Sequence, residues 1–161
     1  MIRTGIGFDA HRFAAGRRLV LGGVEIAHKA GLLGHSDADV LTHALMDALL
    51  GAVAEGDIGG LFPDSDPQWQ DADSLELLRA VLLRLRENHQ AAVVNADITV
   101  IAEEPKLAMY IDAMRRKLAE CLGVHSGRVS VKATTVEKMG ALGRSEGIAA
   151  MAVVAVECEE N

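Results

Sequence analysis

Residues 2–26 read IRTGIGFDAHRFAAGRRLVLGGVEI, and the fold turns on how this segment is parsed. Residues 2–13 begin with alternation and read as a strand. Leu19–Ile26 reads as a second strand, and Ala14–Arg18, with Gly16, supplies a hairpin turn between them. Strands joined by so short a turn run antiparallel. The sheet they belong to is therefore not purely parallel.

Working outward, Asp37 to about Val53 switches to a helical period, with Leu41, Ala44, Leu45, Ala48, Leu49 and Ala52 on one stripe. Ser36 or Asp37 is its expected cap, and Asp39, three after Ser36, resembles a capping box. A loop rich in Gly, Pro and Asp follows (residues 56–69). Ser74–Asn88 reads as a helix, Ala92–Ala102 as a strand, Lys106–Leu122 as a helix stopped by Gly123, and Arg128–Thr135 and Gly147–Val156 as strands. This order predicts one α+β domain over residues 1–161, a mixed four- to five-stranded sheet with helices on one face, ferredoxin-like in type. The last strand, GIAAMAVVAV, lacks alternation, so both its faces are expected to be covered. Helices on one side and a partner subunit on the other would do this, as would an interior position.

The chain has 161 residues, half of them apolar, but only 3% are aromatic. Its core must be built from small aliphatic side chains, whose individual contributions are modest. Cys121 and Cys158 are too few for a disulfide framework. The start lacks a signal-peptide pattern, and no apolar run reaches the ~18 residues of a membrane helix. A cytoplasmic protein with no membrane partner is expected. The net charge of −7 argues against a nucleic-acid partner. It also admits phosphate chemistry only if a bound cation or a focused set of donors intervenes.

Asp9 and His11 lie two apart on a strand, so both leave the same face. Such a pair is as often an ordinary polar contact. His43 sits between Asp39 and Asp47 at four-residue spacing, where a carboxylate one turn away would accept the second N–H of a metal-bound imidazole. A solvated helix face explains the same spacing. Taken together, Asp9, His11 and His43 give three N/O ligands and an open fourth position, the count of a catalytic zinc site, with Mn²⁺ or Co²⁺ also suited. His35 and Ser36 precede the helix, where exposed amides favour an anion. Asp57, Asp64 and Asp66 lie in a turn-rich loop whose segments Asp57-Ile58-Gly59 and Phe62-Pro63-Asp64 suit hydroxyl groups. Thr134, Thr135 and Glu137 end a strand, offering hydroxyls for phosphate and a carboxylate for a hard cation such as Mg²⁺.

Set in order, GIGFDAHRF (5–13), GLLGHSDADVLTHALMDALLGA (31–52), GDIGGLFPDSDP (56–67), ITVIAEEPK (98–106), VKATTVEKMG (131–140) and GRSEGIAA (143–150) resemble the 2-C-methyl-D-erythritol 2,4-cyclodiphosphate synthase family of the non-mevalonate isoprenoid pathway. The resemblance spans nearly the whole chain. It implies a phosphorus-oxygen lyase that cyclises 4-diphosphocytidyl-2-C-methyl-D-erythritol 2-phosphate and releases CMP. It further implies a homotrimer with intersubunit sites, Zn²⁺ on Asp9, His11 and His43, and Mg²⁺ or Mn²⁺ between the diphosphate and Glu137. By the same resemblance His35 and Thr135 stabilise the transition state, with Ser36 beside His35 among the substrate contacts. Asp57, Ile58, Gly59, Phe62, Pro63, Asp64, Ser65 and Asp66 hold the methylerythritol end. Ala102, Pro105, Lys106, Leu107, Ala108 and Thr134 line the cytidine pocket. Ala141 and Arg144 fall near a threefold channel able to hold an isoprenoid diphosphate. Some relatives carry an aromatic where this chain has Ala141. Two other readings use the same residues: a metal-dependent hydrolase of nucleotide diphosphates, and a non-enzymatic trimer that binds metal or isoprenoid diphosphate.

Overall fold

The computed structural model describes residues 1–63 and 65–159. The first strand, β1 (Ile2–Ala15), is followed by β2 (Leu19–Leu21), β3 (Val24–Ile26) and β4 (Ala30–Leu32). Helix α1 (Val40–Val53), the single turn α2 (Ile58–Leu61) and helix α3 (Ser74–His89) come next. Then follow β5 (Ala92–Ile101), α4 (Ile111–Leu122), β6 (Val129–Thr134), the short α5 (Gly140–Gly143) and β7 (Gly147–Glu157). The main sheet runs β4-β1-β7-β5-β6, with β5–β6 the parallel pair and its other pairs antiparallel. It is a mixed α+β fold, as expected.

The hairpin that suggested a mixed sheet is placed elsewhere. Leu19–Ile26 is not one strand paired with β1. It folds on itself at Gly22-Gly23, whose φ of +57° and +70° are the two positive values a type I′ turn demands. The antiparallel partners of β1 are β7, running from Ile2 opposite Glu157 to Arg12 opposite Gly147, and, at its far end, β4, with Phe13 opposite Leu32. The ferredoxin-like expectation is also corrected. That type follows β-α-β-β-α-β, whereas here α1, α2 and α3 separate β1 from β5, α4 separates β5 from β6, and β7 enters last, between β1 and β5.

Helix α1 lies on β1 and β7, α3 on α1, and α4 on β6 and α3. The closeness of the first contact comes from sequence. Side chains at 5, 7, 9 and 11 point to the helix, and the first two are glycines. A Cβ on Gly5 would stand 1.9 Å from the Ala48 carbonyl oxygen, and one on Gly7 2.0 Å from that of Ala44. One pleat repeat of strand advances about 6.6 Å, and four helical residues advance about 6 Å. Two glycines thus match two alanines in step, and all three alanines of the stripe (Ala44, Ala48, Ala52) are buried.

Asp39, not Ser36 or Asp37, caps α1, accepting from the Thr42 amide. Its carboxylate is wholly buried and also holds the Gly22 and Gly23 amides at 2.9 and 2.7 Å, pinning the hairpin to the helix start. Helix α4 begins at Ile111 rather than Lys106, because Leu107–Tyr110 closes as a separate turn (Tyr110 N to Leu107 O, 2.9 Å). Strand β7 is interior, but helices cover only one of its faces. Met151 and Val153 are exposed on the other, opposite the exposed Phe8 and Ile6 of β1.

At the far end of α1, Glu55 accepts from Arg84, from Asn88 (3.1 Å) and from His89 (2.7 Å), tying α1 to α3. Burial raises its carboxyl pKa, but the donors from Asn88, Arg84 and His89 outweigh that and bring it to about 2.

The strand–helix contact and the Glu55 cluster each set an expected outcome. Gly7→Ala drives a methyl into a helix carbonyl and destabilises by about 1–3 kcal/mol or more. Gly51→Ala, whose Cβ meets nothing nearer than 3.8 Å, changes stability by at most about 1 kcal/mol, towards greater stability; urea denaturation of both variants checks this. Because the Glu55 pKa is depressed on folding, its contribution is present above about 4.5 and lost as pH falls towards about 2. Glu55→Gln should therefore flatten the acid limb of a stability-versus-pH curve in that window.

Candidate metal centre and active site

Continuing along the helix-facing side of β1, Asp9 and His11 follow Gly5 and Gly7 and meet His43, which precedes Ala44 on α1. Asp9 Oδ2 lies 2.9 Å from His11 Nε2 and 3.0 Å from His43 Nδ1, and the two nitrogens are 3.2 Å apart. His11 Nδ1 lies 2.7 Å from the Leu33 carbonyl, which only accepts, so that nitrogen donates to it and Nε2 is the atom that faces the cluster. Burial raises the Asp9 carboxyl pKa, but the hydrogen bonds and charges of His11 and His43 dominate and hold it well below the usual carboxylate range. Three such donor atoms so close together could hold a cation among them. Two imidazoles and one carboxylate are the donor set of zinc, and the three ligand atoms lie within 4.8 Å of one another.

His43 is only 7% exposed, so the solvated-face explanation of its spacing does not hold. Its expected carboxylate partners are occupied elsewhere. Asp39 is turned to the helix start, and Asp47 accepts from the Ile58 amide at 2.8 Å, anchoring α2 to the helix. His43 Nε2 sits instead between Ser74 Oγ (3.0 Å) and Ser36 Oγ (3.1 Å). Ser74 was invisible to spacing arguments because it comes from α3, 31 residues away.

A cavity of about 230 Å³ opens beside the cluster. Of the expected residues, Asp9, His11, His35, Ser36, His43, Ile58, Gly59 and Phe62 line it. Gly34, Trp69 and Leu77 line it too and were not anticipated; a lone tryptophan in so aromatic-poor a chain was the available signal. Phe62 and Trp69 pack edge-to-face, centroids 5.0 Å apart. His35 reaches the Asp66 carbonyl at 3.3 Å. The Asp57 and Asp66 carboxylates cap the turns that follow them, accepting from Gly60 N and Gln68 N. Pro63 and Ser65 lie in the same loop outside the cavity lining. Asp64 lies outside the described residues.

The remaining residues form a second place. Ala102, Pro105, Lys106, Leu107, Ala108, Thr134 and Thr135 line a cavity of about 400 Å³. Next to it, Glu137 accepts from Thr135 Oγ1 at 3.1 Å. Glu137 and Lys138 both have left-handed backbones, φ +54° and +63°, each costing about 1–3 kcal/mol. Glu103 holds them there by accepting from the Val136 and Lys138 amides at 3.1 and 3.0 Å. Ala141 and Arg144 lie at α5, where Arg144 pairs with Glu146 at 2.7 Å.

The two places are not joined within the chain. Asp9 pairs with Ala150, Ala150 with Val100 and Val100 with Ala133. Three strand spacings put the metal cluster about 14 Å from the second cavity's strand. The first cavity is also below the roughly 300–1,000 Å³ of a small-molecule site.

The YgbB family model matches residues 2–157. The 2-C-methyl-D-erythritol 2,4-cyclodiphosphate synthase of Chlorobaculum tepidum is 57% identical over 156 residues, 97% of this chain and 99% of that one. The bifunctional IspDF of Campylobacter jejuni superposes with a TM-score of 0.94 at 44% identity, over 99% of this chain and 43% of that longer one. IspF of Plasmodium falciparum, solved as a CDP complex, superposes at 0.85 with 31% identity, over 99% of this chain and 97% of that one. With nearly its whole length matched by the family model and by relatives of more than half identity, the chain belongs to the YgbB family.

Proposed function

We propose that this chain is a 2-C-methyl-D-erythritol 2,4-cyclodiphosphate synthase, acting as one catalytic domain across residues 1–161. The observation that carries the reading is the Asp9–His11–His43 cluster at the rim of a cavity, in a chain matched end to end by enzymes of that name. The substrate is the cytidine diphosphate-linked methylerythritol 2-phosphate. Its 2-phosphate attacks the β-phosphorus, a new P–O–P linkage closes the ring, and CMP leaves. A phosphate monoester with a second pKa near ~6 is already largely dianionic at neutral pH, so no strong base is required. The task is to bring two anions together and close a flexible ring. For oriented intramolecular reactions, positioning contributes up to about 7–11 kcal/mol.

The residues divide that task. Ile58, Gly59 and the Phe62–Asp66 segment with Asp57 hold the methylerythritol end, and Ala102–Ala108 with Thr134 take the cytidine. His35, with Ser36 beside it, and Thr135 donate to the phosphate oxygens at the moment of transfer. Asp9, His11 and His43 would hold zinc, which would supply positive charge beside the phosphates. The oxygens of Glu137, beside the Thr135 hydroxyl, suit a second, hard ion such as Mg²⁺ or Mn²⁺.

A homotrimer completes the site: the gap of about 14 Å closes if the second cavity of one subunit abuts the metal cluster of the next. The exposed apolar face of Ile6, Phe8, Met151 and Val153 supports that assembly. Arg144 would stand near the threefold axis, where an isoprenoid diphosphate fits. A cytoplasmic location accords with the described residues, which contain no helix long and apolar enough to cross a membrane.

Phosphorus NMR of the substrate incubated with protein, Zn²⁺ and Mg²⁺ should show the cyclic diphosphate and CMP growing in equal amounts. A linear diphosphate would identify a hydrolase, and binding without CMP release a binding module. His43→Ala should lower both products together by at least about 100-fold, the scale of lost positioning. Sedimentation should give three times the mass of one chain; a monomer that turns over would refute the shared site.

A further inference from the structure

The histidine ring of His43 presents two nitrogens, and only one tautomer leaves Nδ1 unprotonated towards Asp9 and His11. Serine hydroxyls donate or accept, so Ser36 and Ser74 by themselves select neither form. The selection lies one residue further out. Ser74 is fully buried at the first turn of α3, and its hydroxyl donates to Asp37 Oδ1. Its amide donates to Asp37 Oδ2 at 3.1 Å, and the Asp37 amide donates to the Ala72 carbonyl at 3.1 Å, so the two segments are doubly tied.

A carboxylate accepts only, and a serine has one hydroxyl proton. With that proton committed to Asp37, Ser74 Oγ turns a lone pair to His43 Nε2, 3.0 Å away. Nε2 must then carry the ring proton. Ser36 Oγ already accepts from the Ala38 amide at 3.2 Å and lies 3.1 Å from the same nitrogen, so it can share that proton.

We propose that Asp37 and Ser74 are positioning residues that lock His43 as the Nε2–H tautomer, presenting Nδ1 as the metal-binding atom. The inference rests on the metal reading above and adds to it the source of the ligand's orientation. Neither residue lines the cavity.

The test compares the full-length protein with Asp37→Asn, Ser74→Ala and the double variant. In Asp37→Asn the new side-chain amide would offer an N–H to Ser74 Oγ, freeing the serine proton to point at His43. Zinc affinity is read by chelator competition, and the His43 Nε2–H by water exchange of its NMR resonance in zinc-loaded, ¹⁵N-histidine protein. Each single variant should weaken zinc by about 10–100-fold, the usual effect of losing an outer partner. The double should be no weaker than Ser74→Ala, because both act through one hydrogen bond. The Nε2–H should exchange faster in all three. Wild-type affinity and exchange in Asp37→Asn, or additive losses in the double, would overturn the proposal. If Asp37→Asn fails to fold, wild-type affinity in Ser74→Ala overturns it alone. A wild-type protein that binds no zinc would refute the metal reading itself, a separate outcome.

Discussion

The contact between α1 and β1 is closer than side chains ordinarily allow, and the rest of the molecule is arranged around it. Gly5 and Gly7 remove the two Cβ atoms that would strike the helix carbonyls of Ala48 and Ala44. The helix therefore rests on strand backbone. The same row of the strand then supplies Asp9 and His11, and the same helix supplies His43, so ligands 34 residues apart converge to about the width of one ion. Distance between the elements sets distance between the ligands. A bulkier residue at 5 or 7 would therefore loosen the metal centre without touching it.

An acidic chain that handles phosphates must keep most of its negative charge from facing the phosphate groups. Much of this is done by turning them to backbone amides. Asp39 holds the Gly22-Gly23 turn and the α1 start, Asp47 holds α2, and Asp57, Asp66 and Asp73 cap the turns and helix that follow them. Asp37 serves Ser74. Asp9, by contrast, is aimed at two imidazoles. Much of the acidity near the site is thus consumed in holding shape, which fits both the low share of aromatic anchors and the precision the site requires.

Much of this was legible in residue order. Period two placed Asp9 and His11 on one face, period 3.6 placed Ala44, Ala48 and Ala52 towards the core, and the family motifs joined these to His35, which lines the same cavity. What was not legible depended on long-range pairing. Insertion of β7 between β1 and β5 leaves no local trace, so the ferredoxin-like expectation failed. Gly22-Gly23 did carry a local signal, but the apolar residues around it masked the turn. Asp39 and Asp47 had the right helical spacing to serve His43, yet each found backbone amides first, and the role fell to Ser74 from another helix. The separation of the expected substrate residues into two cavities appears only once strand order is known.

Two histidines and one aspartate, brought together by the glycine-mediated contact, form the candidate metal centre on which the proposed chemistry depends. X-ray absorption spectroscopy at the zinc edge tests this most directly. The predicted result is one zinc per chain with nitrogen and oxygen neighbours at about 2.0–2.1 Å and no sulfur. Sulfur scattering at about 2.3 Å, which would place the ion on Cys121 or Cys158, would contradict it.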